Sequence, residues 1–111
     1  MANEFTLKVG DTAPDIEAIL SDTNGPVDLT GCTIVFRMSP DGGGNVLLEA
    51  SATIVDAAAG HVKYSWQTGD TDTASTNKAE WKVTFPSGKI ATFPRGGANL
   101  YNIVTIEDVV T

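Results

Sequence analysis

The strongest constraint in this sequence is the repeated placement of apolar residues at every second position, in short runs. The clearest run is 79–85, where Ala79, Trp81, Val83 and Phe85 alternate with charged or hydroxyl-bearing side chains. Successive side chains of a β-strand point to opposite faces, so a period of two predicts a strand with one buried face. The same period occurs at 5–9, 16–20, 32–38 and 62–66.

Turn-forming residues separate these runs. Pro-Ser-Gly at 86–88 predicts a tight hairpin turn into a strand at 89–93. Further clusters of glycine, proline and aspartate lie at 22–26, 40–44 and 95–97. Chains that alternate short strands with such turns fold as antiparallel β domains.

Two segments are less regular than the others. Residues 46–55 are apolar enough for two short strands or one bent strand. The only helical candidate is one turn at 56–60, in which Asp56 would cap the start and Gly60 would end it. Such a turn is too short to form a helix by itself.

These patterns predict an all-β fold. We expect an immunoglobulin-like antiparallel β-sandwich of about seven or eight strands, with a small β-barrel as the alternative. The chain has 111 residues, of which 41% are hydrophobic, which suffices for one core. We therefore expect a single domain over residues 1–111.

Composition argues against several classes of protein. Cys32 is the only cysteine, so neither an internal disulfide nor a zinc site of several thiolates can form. The N-terminus lacks the basic start and apolar run of a signal peptide, and no apolar stretch approaches the roughly 20 residues that span a bilayer. The net charge of −7 opposes binding to nucleic acid or to anionic membranes.

No catalytic constellation stands out. His61 is the only histidine, and it lies on the polar face of its predicted strand. Cys32 is in phase with Ile34 and Phe36, which predicts a buried, inert thiol. The glycines at 42–44 are not followed by the Lys-Ser/Thr of a phosphate-binding loop. We therefore expect no enzyme activity and no cofactor.

Two tryptophans could serve either as a sugar-binding platform or as core residues. Trp66 and Trp81 are both in phase with aliphatic neighbours on their strands. Burying an aromatic side chain of this size removes roughly 150–250 Å² from water. The phase therefore favours the core for both.

Several segments together resemble a known family. They are Leu-Lys-Val-Gly-Asp-Thr-Ala-Pro at 7–14, Val-Asp-Leu-Thr-Gly-Cys-Thr-Ile-Val-Phe-Arg-Met at 27–38, the segment 52–73 that ends in Trp-Gln-Thr-Gly-Asp-Thr-Asp-Thr, Ala-Glu-Trp-Lys-Val-Thr-Phe-Pro-Ser-Gly-Lys at 79–89, and Thr-Phe-Pro at 92–94. In order and spacing they are similar to the immunoglobulin-like N-terminal domain of tailed-phage upper baseplate proteins and to related small virion proteins. The segment 74–78 departs from this pattern, because it lacks the usual glycine and tyrosine, and upper baseplate proteins continue into further domains.

The resemblance implies a virion structural protein made in the bacterial host cytoplasm. Its partners would be other virion proteins and copies of itself, which it would join on a symmetric scaffold. A baseplate, tail or neck adaptor and a capsid decoration protein both fit the resemblance. A host-surface glycan-binding module fits less well, because the loops consist mainly of Gly, Asp, Thr and Ser.

The terminal runs are the expected contact regions. Terminal strands often lie at sheet edges, where unpaired backbone groups can bind a neighbouring chain. We therefore expect 5–9 and 100–106 to be edge strands. The predicted interface residues are Phe5, Leu7, Val9, Leu100, Tyr101 and Ile103.

The loop at 69–73 gives the first testable prediction. Asp70 and Asp72 could ligate calcium, but a calcium loop counted from Asp70 also needs glycine at its sixth position and glutamate at its twelfth, where Ser75 and Trp81 stand. An Asx or Thr turn is the better interpretation. Calorimetric titration with calcium should therefore show no binding at physiological concentrations. A micromolar site that disappears in Asp70→Ala would contradict this.

Overall fold

A computed structural model describes residues 4–22, 24–40, 48–93 and 102–109. In these ranges the regular structure is entirely β, as the alternation predicts. The strands are β1 (Glu4–Lys8), β2 (Ile16–Ile19), β3 (Ser21–Asp22), β4 (Gly25–Pro26), β5 (Thr33–Pro40), β6 (Leu48–Ser51), β7 (Thr53–Asp56), β8 (His61–Tyr64), β9 (Ser75–Thr84), β10 (Ile90–Phe93) and β11 (Asn102–Glu107).

The first sheet has six strands and is built around the long strand β9. Its order is β1-β11-β9-β5-β6, and β10 also pairs with β9. On one side of β9, the whole of β5 runs antiparallel to it, with Phe36 opposite Trp81. On the other side, β9 pairs first with β11 and then with β10, whose registers include Val104 opposite Asn77 and Phe93 opposite Trp81.

The second sheet is smaller, with strand order β2-β8-β7, and a short hairpin of β3 and β4 adjoins it. The segment 46–55 contains two strands, one of the two predicted alternatives. These strands belong to different sheets, because β6 pairs with β5 and β7 pairs with β8. Ala52 makes the crossing, and its N–H donates to the Ile34 carbonyl at 2.9 Å.

The two sheets pack as a β-sandwich, which confirms the predicted fold class, and neither closes into a barrel. The chain has eleven strands in the described part, more than the expected seven or eight, because the structure resolves the runs into shorter segments. The strand pairing also differs from expectation at one place. β1 and β11 run parallel, although a wholly antiparallel sandwich was expected.

The expected edge positions are right for only one terminal strand. β1 lies at the edge of the first sheet, but β11 lies between β1 and β9. The edge position predicted for residues 100–106 is therefore wrong for the described part of that run. The reason is that β1 pairs with the side of β11 that faces away from β9, and this pairing brings the apolar face of β1 into the core.

An aromatic cluster joins the two sheets. Phe36 of β5 stacks on Tyr64 of β8 with 4.9 Å between ring centroids, and it meets Trp66 edge-on at 5.7 Å. Trp81 lies 4.8 Å from the same ring. Trp66 and Trp81 are 3% and 0% exposed, so the core positions predicted for both tryptophans are confirmed.

Two turns predicted from the sequence are present. Residues 57–60 form the single turn, in which the Asp56 carboxylate accepts the Ala59 N–H at 3.3 Å. Gly60 has φ +69°, and a Cβ there would lie 2.6 Å from the Leu20 carbonyl oxygen, so only glycine fits. At the hairpin after β9, the Phe85 N–H donates to Lys89 and Gly88 has φ +89°. Of the turn predicted at 40–44, Pro40 is the last residue of β5 and the rest lies outside the described residues, as does the turn predicted at 95–97.

Removing Trp81 should destabilise the fold strongly. Its ring is fully buried against Phe36, so Trp81→Ala would leave a large cavity at the junction of the sheets. We expect a loss of roughly 3–5 kcal/mol in the free energy of unfolding. Urea unfolding measures this directly, and a loss below about 1 kcal/mol would contradict the core assignment.

Candidate interaction surfaces

The pairing of β1 with β11 fixes the N-terminal strand in place. The register runs from Glu4 opposite Ile103 to Lys8 opposite Glu107. Lys8 Nζ lies 3.1 Å from Glu107 Oε1, and the Val9 N–H continues the ladder to the Glu107 carbonyl at 2.8 Å. The outermost strand of the first sheet is therefore held along its whole length on one side.

The other side of β1 is an open backbone edge of limited length. Because the Val9 N–H points to β11, the backbone groups of Lys8 and Thr6 point away from it. The Lys8 N–H donates to the Asp11 carboxylate and the Lys8 carbonyl accepts the Asp11 N–H, each at 3.0 Å. Asp11 thus closes the edge at Lys8, whereas among the described residues no strand pairs with this side of β1 at Thr6.

The loop that carries Asp11 is anchored by Thr71, in the loop between β8 and β9. Thr71 is 1% exposed, and its hydroxyl donates to the Asp11 carbonyl at 2.8 Å. The Gly10 N–H donates to the Thr71 carbonyl at 3.0 Å. These two hydrogen bonds hold Asp11 beside Lys8, where it closes the edge of β1.

The structure separates the predicted interface residues into different environments. Leu7 is 2% exposed and belongs to the core, and Phe5 and Val9 are partly buried against it. Ile103 is partly buried on β11. Leu100 and Tyr101 lie outside the described residues. Any contact of β1 with a partner would therefore use its backbone rather than the Leu7 side chain, and a role in binding for these residues stays a prediction.

Asp70 has a structural role in the described chain. Its Oδ2 accepts the Tyr64 hydroxyl at 2.5 Å and the Gln67 N–H at 2.8 Å, and the Asp70 N–H donates back to the Gln67 carbonyl. Residues 67–70 therefore form a β-turn whose last residue, Asp70, also binds back to the first with its side chain, rather than the Asx or Thr turn predicted from the sequence. Across the described ranges, no three His, Cys, Asp or Glu side chains are grouped so that they could hold a metal ion.

Burial strongly perturbs the pKa of Tyr64. Desolvation, then the hydrogen bond to Asp70 and the charge of that carboxylate, raise the pKa of Tyr64 well above its ordinary value. The phenol is 3% exposed and is bound as a donor, so it stays neutral and serves as a structural link. The spacing of six residues between the two partners gave no sequence signal for this pair.

Cys32 has the environment of an unreactive thiol. Desolvation, followed by the negative charge of Asp28, raises the pKa of Cys32 above its ordinary value. A raised pKa lowers the fraction of the nucleophilic thiolate at neutral pH. Cys32 is partly buried rather than fully buried as the phase suggested, because it lies before β5 begins.

The outer face of the first sheet carries a row of paired charged side chains. Arg37 lies on β5 between two glutamates, with Nε 3.0 Å from Glu49 on β6 and an Nη atom 3.9 Å from Glu80 on β9. The three side chains form a row across the sheet because Arg37 is in register with both glutamates. Arg37 thus joins carboxylates on the two strands that flank β5.

The outer face of the second sheet combines charge with exposed apolar groups. His61 of β8 lies 2.6 Å through Nε2 from Glu17 of β2, so the surface position expected for the histidine is only partly exposed, at 29% of its side chain. Ile19 and Val55 are 54% and 48% exposed. One sequence signal was available for this surface, since Ile19 is an apolar residue on the otherwise polar face of 16–20.

The fold and these surfaces define an all-β domain whose accessible chemistry lies on strand edges and sheet faces. No helix in the described ranges is long and apolar enough to cross a membrane. The family model of the BppU N-terminal domain matches residues 2–93, and the chain belongs to this family. The family comprises bacteriophage baseplate domains, which makes the chain a virion structural component. No curated protein matches the chain.

The Tyr64–Asp70 link predicts an unusual titration. In Tyr101→Phe, which leaves Tyr64 as the single tyrosine, ultraviolet titration should show no ionisation near pH 10, where a free tyrosine titrates. Because the folded pKa is raised, the stabilisation is complete below about pH 10 and decreases as the pH rises beyond it. Asp70→Asn should lower the Tyr64 pKa. Normal titration of Tyr64 at about pH 10 in the folded protein would contradict the buried link.

Proposed function

We propose that this protein is a non-catalytic adaptor that docks onto a symmetric scaffold of the phage baseplate, tail or neck. The observation that carries the proposal is the family match over residues 2–93, which relates nearly the whole chain to baseplate domains. The fold supports it, since the described part combines a well-packed core with a free strand edge and no marked catalytic group. The partners would be other virion proteins and further copies of this chain.

The docking mode that we propose is strand addition at β1. An edge strand offers unpaired N–H and C=O groups to an extended segment of another protein. The edge is open at Thr6 and closed at Lys8 by Asp11, so an added strand would be short. Many such weak contacts on one scaffold act together through high effective concentration.

The remaining parts of the proposal concern architecture and setting. We propose one immunoglobulin-like domain over residues 1–111, made in the host cytoplasm and incorporated into the virion. What supports the immunoglobulin-like assignment is the two-sheet sandwich, with β6 and β7 continuing from one sheet to the other and aromatic residues between the sheets. The net charge of −7 supports a protein partner over nucleic acid or anionic membrane.

Capsid decoration and glycan binding are the alternative functions. The burial of Trp66 and Trp81 removes the two largest rings from any sugar platform, which makes glycan binding the weaker alternative. Antibody labelling of purified particles in the electron microscope distinguishes the others. Label at the tail tip or neck supports the adaptor, and label spread over the capsid supports decoration.

Blocking the β1 edge should reduce incorporation without unfolding the protein. In Thr6→Pro the missing N–H points away from β11, so the ladder between β1 and β11 keeps its hydrogen bonds. We expect a several-fold fall in copy number on purified particles, measured by quantitative mass spectrometry, with a melting temperature close to that of the wild type.

Thr6→Ala is the matched control, because it shortens the same side chain and keeps the N–H. It should be incorporated like the wild type. Normal occupancy by folded Thr6→Pro would reject docking at this edge while leaving the adaptor role open. Turnover of a glycan or ester by the isolated protein would reject the structural function itself.

A further inference from the structure

The outer face of the second sheet has an apolar row that the fold does not use. Ile19 of β2 is directly opposite His61 of β8, so both side chains lie on one face of the sheet. On the other side of His61, the register of β7 shifts between Ile54 and Asp56, and Val55 occupies the bulge. Ile54 packs on the core, so Val55 points to the outer face.

These three side chains, Ile19, His61 and Val55, form what we call the second-sheet patch. Adjacent strands are about 4.8 Å apart, so Ile19 and Val55 lie about 10 Å from each other across His61. They are two of the four large hydrophobic residues that are exposed in the described ranges. Their clustering on a three-stranded sheet gives an apolar centre of the kind found at protein interfaces.

The surroundings of the patch are acidic. Glu17 lies beside His61 with 2.6 Å between Oε1 and Nε2, and Asp56 is opposite His61 on β7. Asp15 lies just before β2, and Lys63, 3.8 Å from the Asp15 carboxylate, is the basic side chain that the described residues place beside the patch. Three carboxylates and one ammonium group therefore surround the patch, leaving a local excess of negative charge.

The outer faces of the two sheets differ in how their exposed apolar and charged side chains are arranged. On the first sheet the carboxylates of Glu49 and Glu80 are both paired with Arg37, which lies between them. Ile90, which is 58% exposed, lies on β10 of that sheet, and β9, the strand paired with β10 in the described residues, has no apolar residue of comparable exposure. Among the described residues, the outer face of the second sheet thus combines two clustered, exposed apolar side chains with an excess of carboxylates over basic groups.

We propose that the second-sheet patch is a docking surface for another virion protein that presents an apolar side chain flanked by lysine or arginine. The inference rests on the proposed structural function and adds a second contact to the β1 edge. The apolar side chain would lie between Ile19 and Val55, and the basic groups would face Glu17 and Asp56. Charge complementarity of this kind selects the partner and its register more than it adds affinity.

The test replaces the apolar centre and compares it with an equally exposed site elsewhere. Ile19→Ser and Val55→Ser, singly and together, are expressed in a host infected by phage that lacks the gene, and copy number on purified particles is measured. We expect the double variant to lose at least ten-fold in occupancy, with its melting temperature within a few degrees of the wild type. Ile90→Ser, the matched control on the first sheet, should retain full occupancy.

The acidic surround is tested separately. Glu17→Gln keeps an oxygen acceptor for His61 but removes the charge. We expect it to lower occupancy several-fold, and we expect washing wild-type particles in high salt to release the protein more readily than washing in low salt. If Glu17→Gln is incorporated normally and high salt releases no more protein than low salt does, the proposal of a basic partner is wrong.

The outcomes separate the inference from the function on which it rests. Normal incorporation of the folded double variant would overturn the patch while leaving the adaptor role intact. Self-association of the purified protein in sedimentation, lost in the double variant, would assign the patch to a second copy and overturn the proposed partner. Absence of the wild-type protein from purified particles would overturn both proposals.

Discussion

The packing of Phe36 between the two sheets is the interaction on which the rest of the structure depends. Its ring contacts Tyr64, Trp66 and Trp81, which come from separate parts of the chain and from both sides of the sandwich. The second sheet has only three strands, so it depends on contact with the larger sheet for its stability. The rings are rigid and pack closely against one another. The cluster therefore sets the distance between the two sheets and their relative orientation.

The surface of the domain follows from this core and from the topology around it. The long strand β9 is paired on both sides, which places β1, β10 and β6 at the edges of the first sheet. At β1 the chain itself limits the exposed edge, because Asp11 binds both backbone groups of Lys8. Thr71 holds Asp11 in turn. An edge closed in this way is protected from uncontrolled strand pairing and stays available over a short length.

The distribution of charge over the two faces explains why a domain without a marked catalytic group can still be specific. On the first sheet, ion pairs such as that of Arg37 with Glu49 join charged side chains of neighbouring strands. On the second sheet, the carboxylates around His61 outnumber the basic groups, and they surround the exposed Ile19 and Val55. Under the proposed adaptor role, this asymmetry would let the protein join its scaffold in one orientation.

The sequence by itself determined the all-β class, the core positions of Trp66 and Trp81, the turn at Asp56 and Gly60, and the family. All of these depend on the local spacing of residues. They can therefore be read directly from the alternation of apolar residues, from the turn residues and from the order of the motifs. The tertiary structure alone decided the parallel pairing of β1 with β11, the link between Tyr64 and Asp70, and the clustering of Ile19 with Val55. Each of these depends on which strands become neighbours. Which strands become neighbours depends on how the aromatic core packs and on pairing between segments that are distant in the chain. The local spacing of residues in one sequence carries no information about such distant contacts.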